Sequence, residues 1–439
     1  MLRTRSILAF WIPLAATWLM MSIEGPYVAA IIARMPDAAF NLAAYGVAFS
    51  LAWLVESPIM MLLTASNTLV RDRQTYFALR RFTWTLNTIV TAGMVLGVTP
   101  PVFRFVTSTL MGLPPEVASL VHIATAILIP WPAAIGYRRF YQGILVRHRL
   151  TRRVAYGTVI RLASMSVTAG GLALTTAWHG SSIGAAALAA GVLMEAAASR
   201  WMARHVVASI LAGPDSIGET PLTQRAIARF YYPLALTSII ALVTGPLLTF
   251  FMGRSRAPIE SLAVLPVVQS LVFLFRSGGV AYQEVGVALS GRHHEHEREV
   301  GRTSLLLASA ATVALAVMLF TPFADMWLRG LSGLSPGLSA FALGPARLLV
   351  LLPAMEYWLS FQRSRFILNG QTRVITIATA IEVGGIALVL YVCIGRFDMI
   401  GAIAGSVAQM IGRFAANLFL LAAARSTRRG RPAPAGAGQ

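Results

Sequence analysis

Long blocks of apolar residues, separated by short polar connections, run through the whole chain. Each block has about 20 residues or more, the length that an α-helix needs to cross roughly 30 Å of hydrocarbon. The blocks lack the strict alternation of apolar and polar residues that marks the strands of a membrane β-barrel. The pattern predicts an all-α polytopic membrane protein with twelve spans, near residues 7–33, 41–69, 83–103, 117–139, 154–178, 182–208, 226–252, 258–290, 303–322, 341–368, 374–395 and 398–424.

The second half of the chain repeats the first. FWIPLAATWLMMSIEGPYVAAIIAR, starting at Phe10, aligns without a gap with FYYPLALTSIIALVTGPLLTFFMGR, starting at Phe230, at an offset of 220. Residues 158–165 align with 379–386 at an offset of 221, and residues 183–191 align with 400–408 at an offset of 217. An even number of spans gives both copies the same orientation, so we expect a parallel repeat about an axis along the membrane normal.

The repeat also predicts the domain organisation. We expect an N-terminal six-helix lobe over residues 1–212, a cytoplasmic linker over 213–225 and a C-terminal six-helix lobe over 226–424. Residues 425–439 are rich in Pro, Gly and Ala and are predicted to form a disordered cytoplasmic tail.

Composition and charge support the membrane class and predict the orientation. Of the 439 residues, 56% are hydrophobic and 12% are charged, whereas about a quarter of the residues in soluble domains are charged. The formal net charge is +19, and arginine-rich connections such as RDRQTYFALRR (71–81) alternate with arginine-poor ones. The positive-inside rule therefore predicts cytoplasmic termini in a membrane that we expect to be a bacterial inner (plasma) membrane. Because topology explains these arginines, we expect no nucleic-acid partner.

Charged residues inside the spans occupy symmetry-related positions with opposite signs. The offset of 220 relates Glu56, in AFSLAWLVESPIMMLL, to Arg276, and the offset of 221 relates Arg161 to Glu382. A charge at the bilayer centre costs about 2.5–3.5 kcal/mol on the insertion scale, so such residues face the bundle interior or a watery cavity. We expect Glu56 and Arg276 to meet near the axis, as a gate between the lobes or as part of a substrate site. Arg161 and Glu382 lie nearer the cytoplasmic ends, where they could instead snorkel to the interface.

Other charges inside the spans extend this set. Glu284 follows Arg276 by two helical turns and shares its helix face, which makes it a candidate cavity residue. Glu24 precedes Gly25 and Pro26, where a kink could free backbone groups and a carboxylate could carry protons or cations. At the offset of 217, Glu195 corresponds to a position next to Arg413. Each of these two residues could instead form an ion pair between helices of its own lobe.

The sequence contains no enzyme signature: there is no Walker motif, no GxSxG and no HExxH. The histidines of GRHHEHERE (291–299) lie in a loop without a fixed-geometry motif, so we expect no metal site and no cofactor. We therefore expect a non-enzymatic protein that draws its energy from ion or substrate gradients.

The plan of two six-helix units resembles the superfamily of multidrug and toxic-compound extrusion (MATE) proteins and of lipid and polysaccharide flippases. RRFYQGILVRHRLT (138–151) and GAAALAAGVLMEA (184–196) are similar to segments of that superfamily. A closer resemblance is to the progressive ankylosis (ANK) protein family. It is carried by FWIPLAATW (10–18), AYGVAFSLAWLVESPIM (44–60), RDRQT (71–75), FYYPLALT (230–237) and YQEVG (282–286).

The resemblance to the ANK family implies export of small polyanions, including citrate, ATP and pyrophosphate, from the cytoplasm. Residue by residue, the family motif covers Tyr45, Ser50, Pro58 and Glu284, and we include Tyr45, Ser50 and Glu284 among the candidate cavity residues. The motif does not cover Glu56, because the family tends to be uncharged at that position.

The leading hypothesis is an alternating-access exporter of organic or phosphorylated anions. Arg276 and Arg161 would attract the anion, with Arg138 and Arg139 at the cytoplasmic mouth. Competing charge or proton coupling would come from the glutamates Glu24, Glu56 and Glu284.

Two other transport functions and a non-transport role stay open. In a MATE-like antiporter of cationic drugs, the glutamates would bind the cargo. In a flippase for lipid-linked saccharides, basic cavity residues would hold a diphosphate. A scaffold or receptor has little support, because buried opposite charges are costly without a pathway. The expected partners are a small anionic substrate, the lipid bilayer and a coupling proton or sodium ion, and we expect a monomer.

Overall fold

The computed structural model describes residues 4–148, 150–213, 222–290, 295–369 and 371–429. Across these residues the chain is helical, and its one β-type contact is a single bridge between Arg256 and Ile400. The long helical units are α1 Thr4–Ala33, α2 Ala38–Leu69, α3 Arg73–Val98, α4 Pro115–Arg147, α5 Thr151–Thr175, α6 Gly180–Ala212, α7 Gln224–Met252, α8 Pro258–Leu289, α9 Glu297–Phe320, α10 Pro336–Leu368, α11 Thr372–Gly395 and α12 Gly401–Arg429.

The predicted all-α membrane fold is confirmed. Eleven of these units are long and apolar enough to span a membrane, and α3 makes a twelfth when it is counted with its bent continuation Pro100–Leu110. Unit α7 begins at Gln224, before the predicted start at residue 226, and α12 runs to Arg429, beyond the predicted end at residue 424. Most of the predicted linker (214–221), the distal tail (430–439) and residues 291–294 of the histidine loop lie outside the described residues.

Several units are broken at prolines, and the break of α1 recurs in α7. Unit α1 is interrupted at Ile23, just before Gly25 and Pro26, and α7 is interrupted at Val243 before the equivalent Gly-Pro pair. Proline lacks an N–H group, so it fits the first turn of a helical segment and breaks a helix elsewhere. Unit α2 passes through a 3₁₀ turn at Ser57–Ile59, whereas α8 continues without a break through the equivalent position, Gly278.

The backbone shows the internal repeat directly. A π-helical turn at Phe105–Leu110, the N-half π turn, corresponds to Met326–Leu331, the C-half π turn. Each is followed by a glycine with positive φ, Gly112 at 66° and Gly333 at 72°. These pairs share the offset of 221, as the sequence predicts for the later spans of each copy.

The offset of 217 predicted for the sixth span is wrong. The Ser181 N–H donates to Asn41 Oδ1 (3.0 Å), and the Ala402 N–H donates to Ser261 Oγ (3.1 Å). These equivalent contacts relate α6 to α12 by 221. The two offsets differ by four residues, a shift that nearly preserves the helix face. Small apolar residues therefore align about equally well at either offset. Glu195 therefore corresponds to a position one turn beyond Arg413.

The two halves meet mainly through four helical units, with smaller contacts of α1 with α9 and of α3 with α7. We call α1–α6 the N-half and α7–α12 the C-half. Units α1 and α2 pack against α8, and α2 also packs against α7. Units α1 and α7 are the least buried of the candidate spans, and α6 is the most buried. We call the side of the bundle with the α1–α2 and α7–α8 connections the far side, and the side where α1 begins the terminal side.

Candidate functional site

Four buried charges in the N-half form a continuous chain, the N-half charge chain. Arg161 on α5 donates from Nη2 to Glu24 Oε2 on α1 (2.5 Å), and its Nη1 lies 3.8 Å from Glu195 Oε2 on α6. Arg138 on α4 forms an ion pair with the same Glu195 oxygen. Gln142, one turn further along α4, donates to Glu195 Oε1 (3.0 Å). Each of four spans thus contributes one charge of alternating sign.

The C-half holds a second chain of four, the C-half charge chain. Arg276 Nε on α8 lies 3.4 Å from Glu356 Oε2 on α10. Arg413 Nη1 on α12 lies 3.1 Å from the same Glu356 oxygen, and Arg413 Nε lies 3.0 Å from Glu382 Oε1 on α11. The signs on the fifth and sixth spans of each half are therefore reversed, since an arginine–glutamate pair of α5 and α6 becomes a glutamate–arginine pair of α11 and α12.

The predicted ion pair between Glu56 and Arg276 is not formed in this conformation. Arg276 pairs within its own half with Glu356. Glu56 is 3% exposed, and its Oε2 atom has no hydrogen-bond partner among the described residues. Repeat symmetry relates the two helix positions correctly, but α10 places an acid closer to Arg276 than α2 does.

Two further expectations about arginines are corrected by their burial. Arg161 does not snorkel, since it is 8% exposed and forms ion pairs with carboxylates of α1 and α6. Arg138 does not line an open mouth, since it is 5% exposed and bound to Glu195. Its neighbour Arg139 is half-buried, and the Nε atom of Arg139 has no hydrogen-bond partner in the described part of the chain. The predicted helix-to-helix pairing of Glu195 and of Arg413, each within its own half, is confirmed.

The remaining predicted cavity residues lie in three different settings. Tyr45 is buried and stacks on Phe49 with a centroid distance of 5.9 Å. Ser50 shares a 3.0 Å hydrogen bond with the Thr249 hydroxyl, which joins α2 to α7 across the two halves. Glu284 on α8 is exposed, at the terminal-side end of the unit.

Sequence reasoning missed Glu356, the residue that joins the C-half charge chain. It lies in the apolar run LLVLLPAMEYWL (348–359), so the criterion that selected Glu56 could have found it. Its repeat equivalent is Ile135, and a search for charge at both related positions passes over it. Arg363, also missed, donates to the Thr379 hydroxyl (3.2 Å) and is the repeat equivalent of the similarly overlooked Gln142.

Two pairs of equivalent polar contacts hold the halves together. On the far side, Arg34 donates to the carbonyls of Gly330 (2.6 Å) and Leu331 (2.7 Å) in the C-half π turn. Its repeat equivalent, Arg254, donates to the carbonyl of Thr109 (2.5 Å) in the N-half π turn. These side chains close the far side of the bundle from both halves at once.

The second pair lies deeper in the bundle, between the spans. Trp11 Nε1 on α1 donates to the Gly278 carbonyl on α8 (2.9 Å). The Tyr231 hydroxyl on α7 donates to the Pro58 carbonyl in the 3₁₀ turn of α2 (2.5 Å). Trp11 and Tyr231 are repeat equivalents, as are Gly278 and Pro58. The halves are thus connected by reciprocal contacts at two levels.

No protein-family model matches the chain, and no curated protein sequence matches it significantly. Solved structures match it over nearly its whole length. An inward-facing multidrug resistance MATE family transporter of the MOP superfamily has a TM-score of 0.72 and 13% identity, over 95% of this chain and 96% of the other. The lipid II flippase MurJ, in an inward closed conformation, has a TM-score of 0.69 and 13% identity, over 94% and 87%.

An outward-facing MATE family transporter of the MOP superfamily has a TM-score of 0.61 and 13% identity, over 98% of this chain and 97% of the other. The chain therefore has the MATE-like fold that the resemblance implied. The narrower resemblance, to the progressive ankylosis family, stays a prediction from the sequence motifs.

Proposed function

We propose that this protein is an alternating-access membrane transporter that exports small organic or phosphorylated anions through a cavity between its two halves. The MATE-like fold supports a transporter, because the matching structures are those of transporters and a flippase. The two levels of reciprocal contacts support alternating access, because one set can break while the other holds. The anionic cargo is supported by the C-half charge chain.

The arginine Arg276 carries the proposal. Its side chain keeps 21% exposure, and its ion pair with Glu356, the one it forms among the described residues, has a length of 3.4 Å. Glu356 is shared with Arg413, whose nitrogen lies closer, at 3.1 Å. The Nε atom of Arg276 is buried and makes no hydrogen bond within the described chain, so its contact with Glu356 is an ion pair alone. One carboxylate thus pairs with two guanidinium groups. Arg276 therefore keeps N–H donors that can bind the oxygens of an anion.

A third arginine strengthens the positive character of this site. Arg363 on α10 lies close enough to Glu356 and Glu382 for its charge to act on both. Three arginines therefore face two glutamates in the C-half, whereas the N-half charge chain is balanced with two of each. A polyanion such as citrate, pyrophosphate or ATP presents several oxygens to such a surplus of donors.

Orientation follows from the arginine-rich connections on the terminal side. The positive-inside rule places that side, with both termini, in the cytoplasm. The far side then faces outward, and the contacts of Arg34 and Arg254 close the outer end of the pathway. Export then requires the terminal-side contacts between the halves, such as Trp11 with Gly278, to open so that an anion can reach Arg276 from the cytoplasm.

Uptake by inside-out vesicles tests the class of cargo. Vesicles that contain the protein are supplied with labelled citrate, pyrophosphate or ATP, and in parallel with a fluorescent cationic dye. We expect uptake of at least one anion above that of empty vesicles and no uptake of the dye. Dye uptake without anion uptake would favour the cationic antiporter, and movement of a lipid-linked diphosphate alone would favour the flippase.

A further inference from the structure

Glu56 differs from the other buried glutamates of the described residues. Glu24, Glu195 and Glu356 each belong to an ion pair, whereas Glu56 has no ion-pair partner within 4.0 Å among the described residues. Its side chain is almost completely buried, and its Oε2 atom has no hydrogen-bond partner in the part of the chain that the structure describes. Burial of an isolated carboxylate in its charged form raises the free energy of the folded protein, and protonation removes that penalty.

The position of Glu56 connects it to the interface between the halves. It is the last residue of the first segment of α2, directly before the 3₁₀ turn Ser57–Ile59. The carbonyl of Pro58, in that turn, accepts the hydrogen bond from Tyr231 on α7. A change of charge at Glu56 therefore acts at a break in the helix and two residues from a contact with the other half.

The groups around Glu56 come from several helices. Arg139 on α4 exerts the largest charge effect on it, followed by Arg138 on α4 and Arg161 on α5. Arg138 and Arg161 are already bound within the N-half charge chain, whereas Arg139 forms no ion pair among the described residues. The Tyr231 side chain on α7 also interacts electrostatically with Arg139. Unit α3, which packs on the same turn, contributes no group to this set; its Phe82 contacts the Tyr231 ring at a centroid distance of 5.2 Å.

We propose that Glu56 is a proton-binding site that couples a proton to the movement of the halves. With a proton bound, the carboxyl group is neutral and the geometry seen here persists. When the proton leaves, the carboxylate attracts the guanidinium of Arg139, and closure of that ion pair draws α4 toward the break in α2. The Pro58 carbonyl moves with the break, and the hydrogen bond from Tyr231 is strained or lost. Proton binding itself does not depend on the proposed function, but its role in coupling does.

Infrared difference spectroscopy tests proton binding without any cargo. Purified protein in nanodiscs is titrated with base, and the carbonyl stretch of protonated carboxyl groups is followed. We expect a band that disappears as the pH rises, that is missing in Glu56→Gln and that is retained in Glu116→Gln, a control on the exposed first turn of α4. Absence of a titrating band in the unchanged protein, or an unchanged band in Glu56→Gln, would overturn the proposal.

A conservative variant covers the case in which Glu56→Gln does not fold. Glu56→Asp keeps a carboxyl group and changes its surroundings, so the titrating band should persist at a displaced frequency. A band of unchanged frequency and unchanged titration in Glu56→Asp would assign it to another residue and overturn the proposal.

Vesicle transport tests the coupling role. Exchange of labelled for unlabelled anion needs no net proton movement, whereas accumulation against a gradient does. We expect Glu56→Gln to retain exchange and to lose pH-driven accumulation by roughly tenfold or more, a factor equivalent to about 1.4 kcal/mol. Equal loss of exchange and accumulation, or unchanged accumulation, would remove the coupling role. If the unchanged protein moves no anion at all, the proposed function fails, and the infrared result still decides whether Glu56 binds a proton.

Discussion

Arg34 and Arg254 hold the far side of the bundle closed by the same contact made twice. Each lies at the end of a first span of its half, and each donates to backbone carbonyls of the π turn in the opposite half. The glycines that follow the π turns, Gly112 and Gly333, lie directly beside these arginine side chains. Hydrogen bonds to charged donors contribute about 1.5–3 kcal/mol each. Their loss therefore favours opening of the far side.

The double variant Arg34→Ala with Arg254→Ala is expected to open the far side. The measurement is the rate at which a membrane-impermeant maleimide, added from the far side, labels Ser50→Cys in a background in which Cys393, the chain's single cysteine, is replaced by alanine. We expect labelling to accelerate roughly a hundredfold or more, since each of the two arginines contributes at least about 1.4 kcal/mol, a factor of about ten, to the closed state. The control is Arg329→Ala, which removes an exposed arginine of the C-half π turn. Equal labelling of the control and the double variant would contradict the assignment.

Neighbouring arginines on α4 are expected to differ sharply in their effect on stability. Arg138 neutralises the buried Glu195, so Arg138→Ala leaves an uncompensated charge and should cost about 3–5 kcal/mol. Arg139 has no ion pair in the described residues, so Arg139→Ala should cost less than about 1 kcal/mol. Thermal unfolding in detergent, followed by tryptophan fluorescence, measures both. Similar melting temperatures for the two variants would contradict the N-half charge chain.

Glu356 is expected to be the most sensitive glutamate of the C-half charge chain. It neutralises Arg276 and Arg413 together, whereas Glu382 contacts Arg413 alone within that chain. Glu356→Gln should lower stability by about 3–5 kcal/mol and more than Glu382→Gln does. Thermal unfolding of the two single variants gives the order. A larger loss for Glu382→Gln would show that the chain is connected differently.

Gly25 and Gly245 are repeat equivalents at the interface of the halves. Their replacement by alanine is expected to change stability by different amounts. A Cβ built on Gly25 would lie 2.8 Å from the Cβ of Ser270 on α8, whereas one built on Gly245 would lie 3.7 Å from the Cβ of Ser50 on α2. Gly25→Ala should cost about 1–3 kcal/mol through overpacking, and Gly245→Ala should be tolerated. Unfolding measurements on both variants test this asymmetry, and equal tolerance would argue against the close approach of α1 and α8.

Much of the fold follows from local rules that sequence reasoning can apply. The apolar blocks set the spans, the offset of 220 relates α1 and α2 to α7 and α8, and the Gly-Pro pairs mark the breaks of α1 and α7. These features depend on residues close together in the chain. The wrong offset of 217 in the sixth span arose because small apolar residues repeat along a helix face. Two such helices align about equally well when one is shifted by a turn.

The partners of the buried charges could not be derived in the same way. Repeat symmetry related Glu56 to Arg276 but could not show that a third residue, Glu356, lies closer to the arginine. The choice depends on the distance between α8 and α10, which is a tertiary quantity. Because the repeat equivalent of Glu356 is Ile135, a search by symmetry also had no signal there. Charges that break the symmetry are therefore the ones that such a search misses.

In the proposed function Arg276 binds the exported anion, and one comparison of uptake tests this claim. Inside-out vesicles that contain equal amounts of the unchanged protein, Arg276→Ala or Arg365→Ala are supplied with the labelled anion that the unchanged protein transports. Arg365 is a matched control, since it is an arginine of the same half whose ion pair is with Glu297 on α9, outside the C-half charge chain. We predict that uptake falls about tenfold or more in Arg276→Ala and stays near the unchanged level in Arg365→Ala. Full anion uptake by Arg276→Ala would contradict the claim.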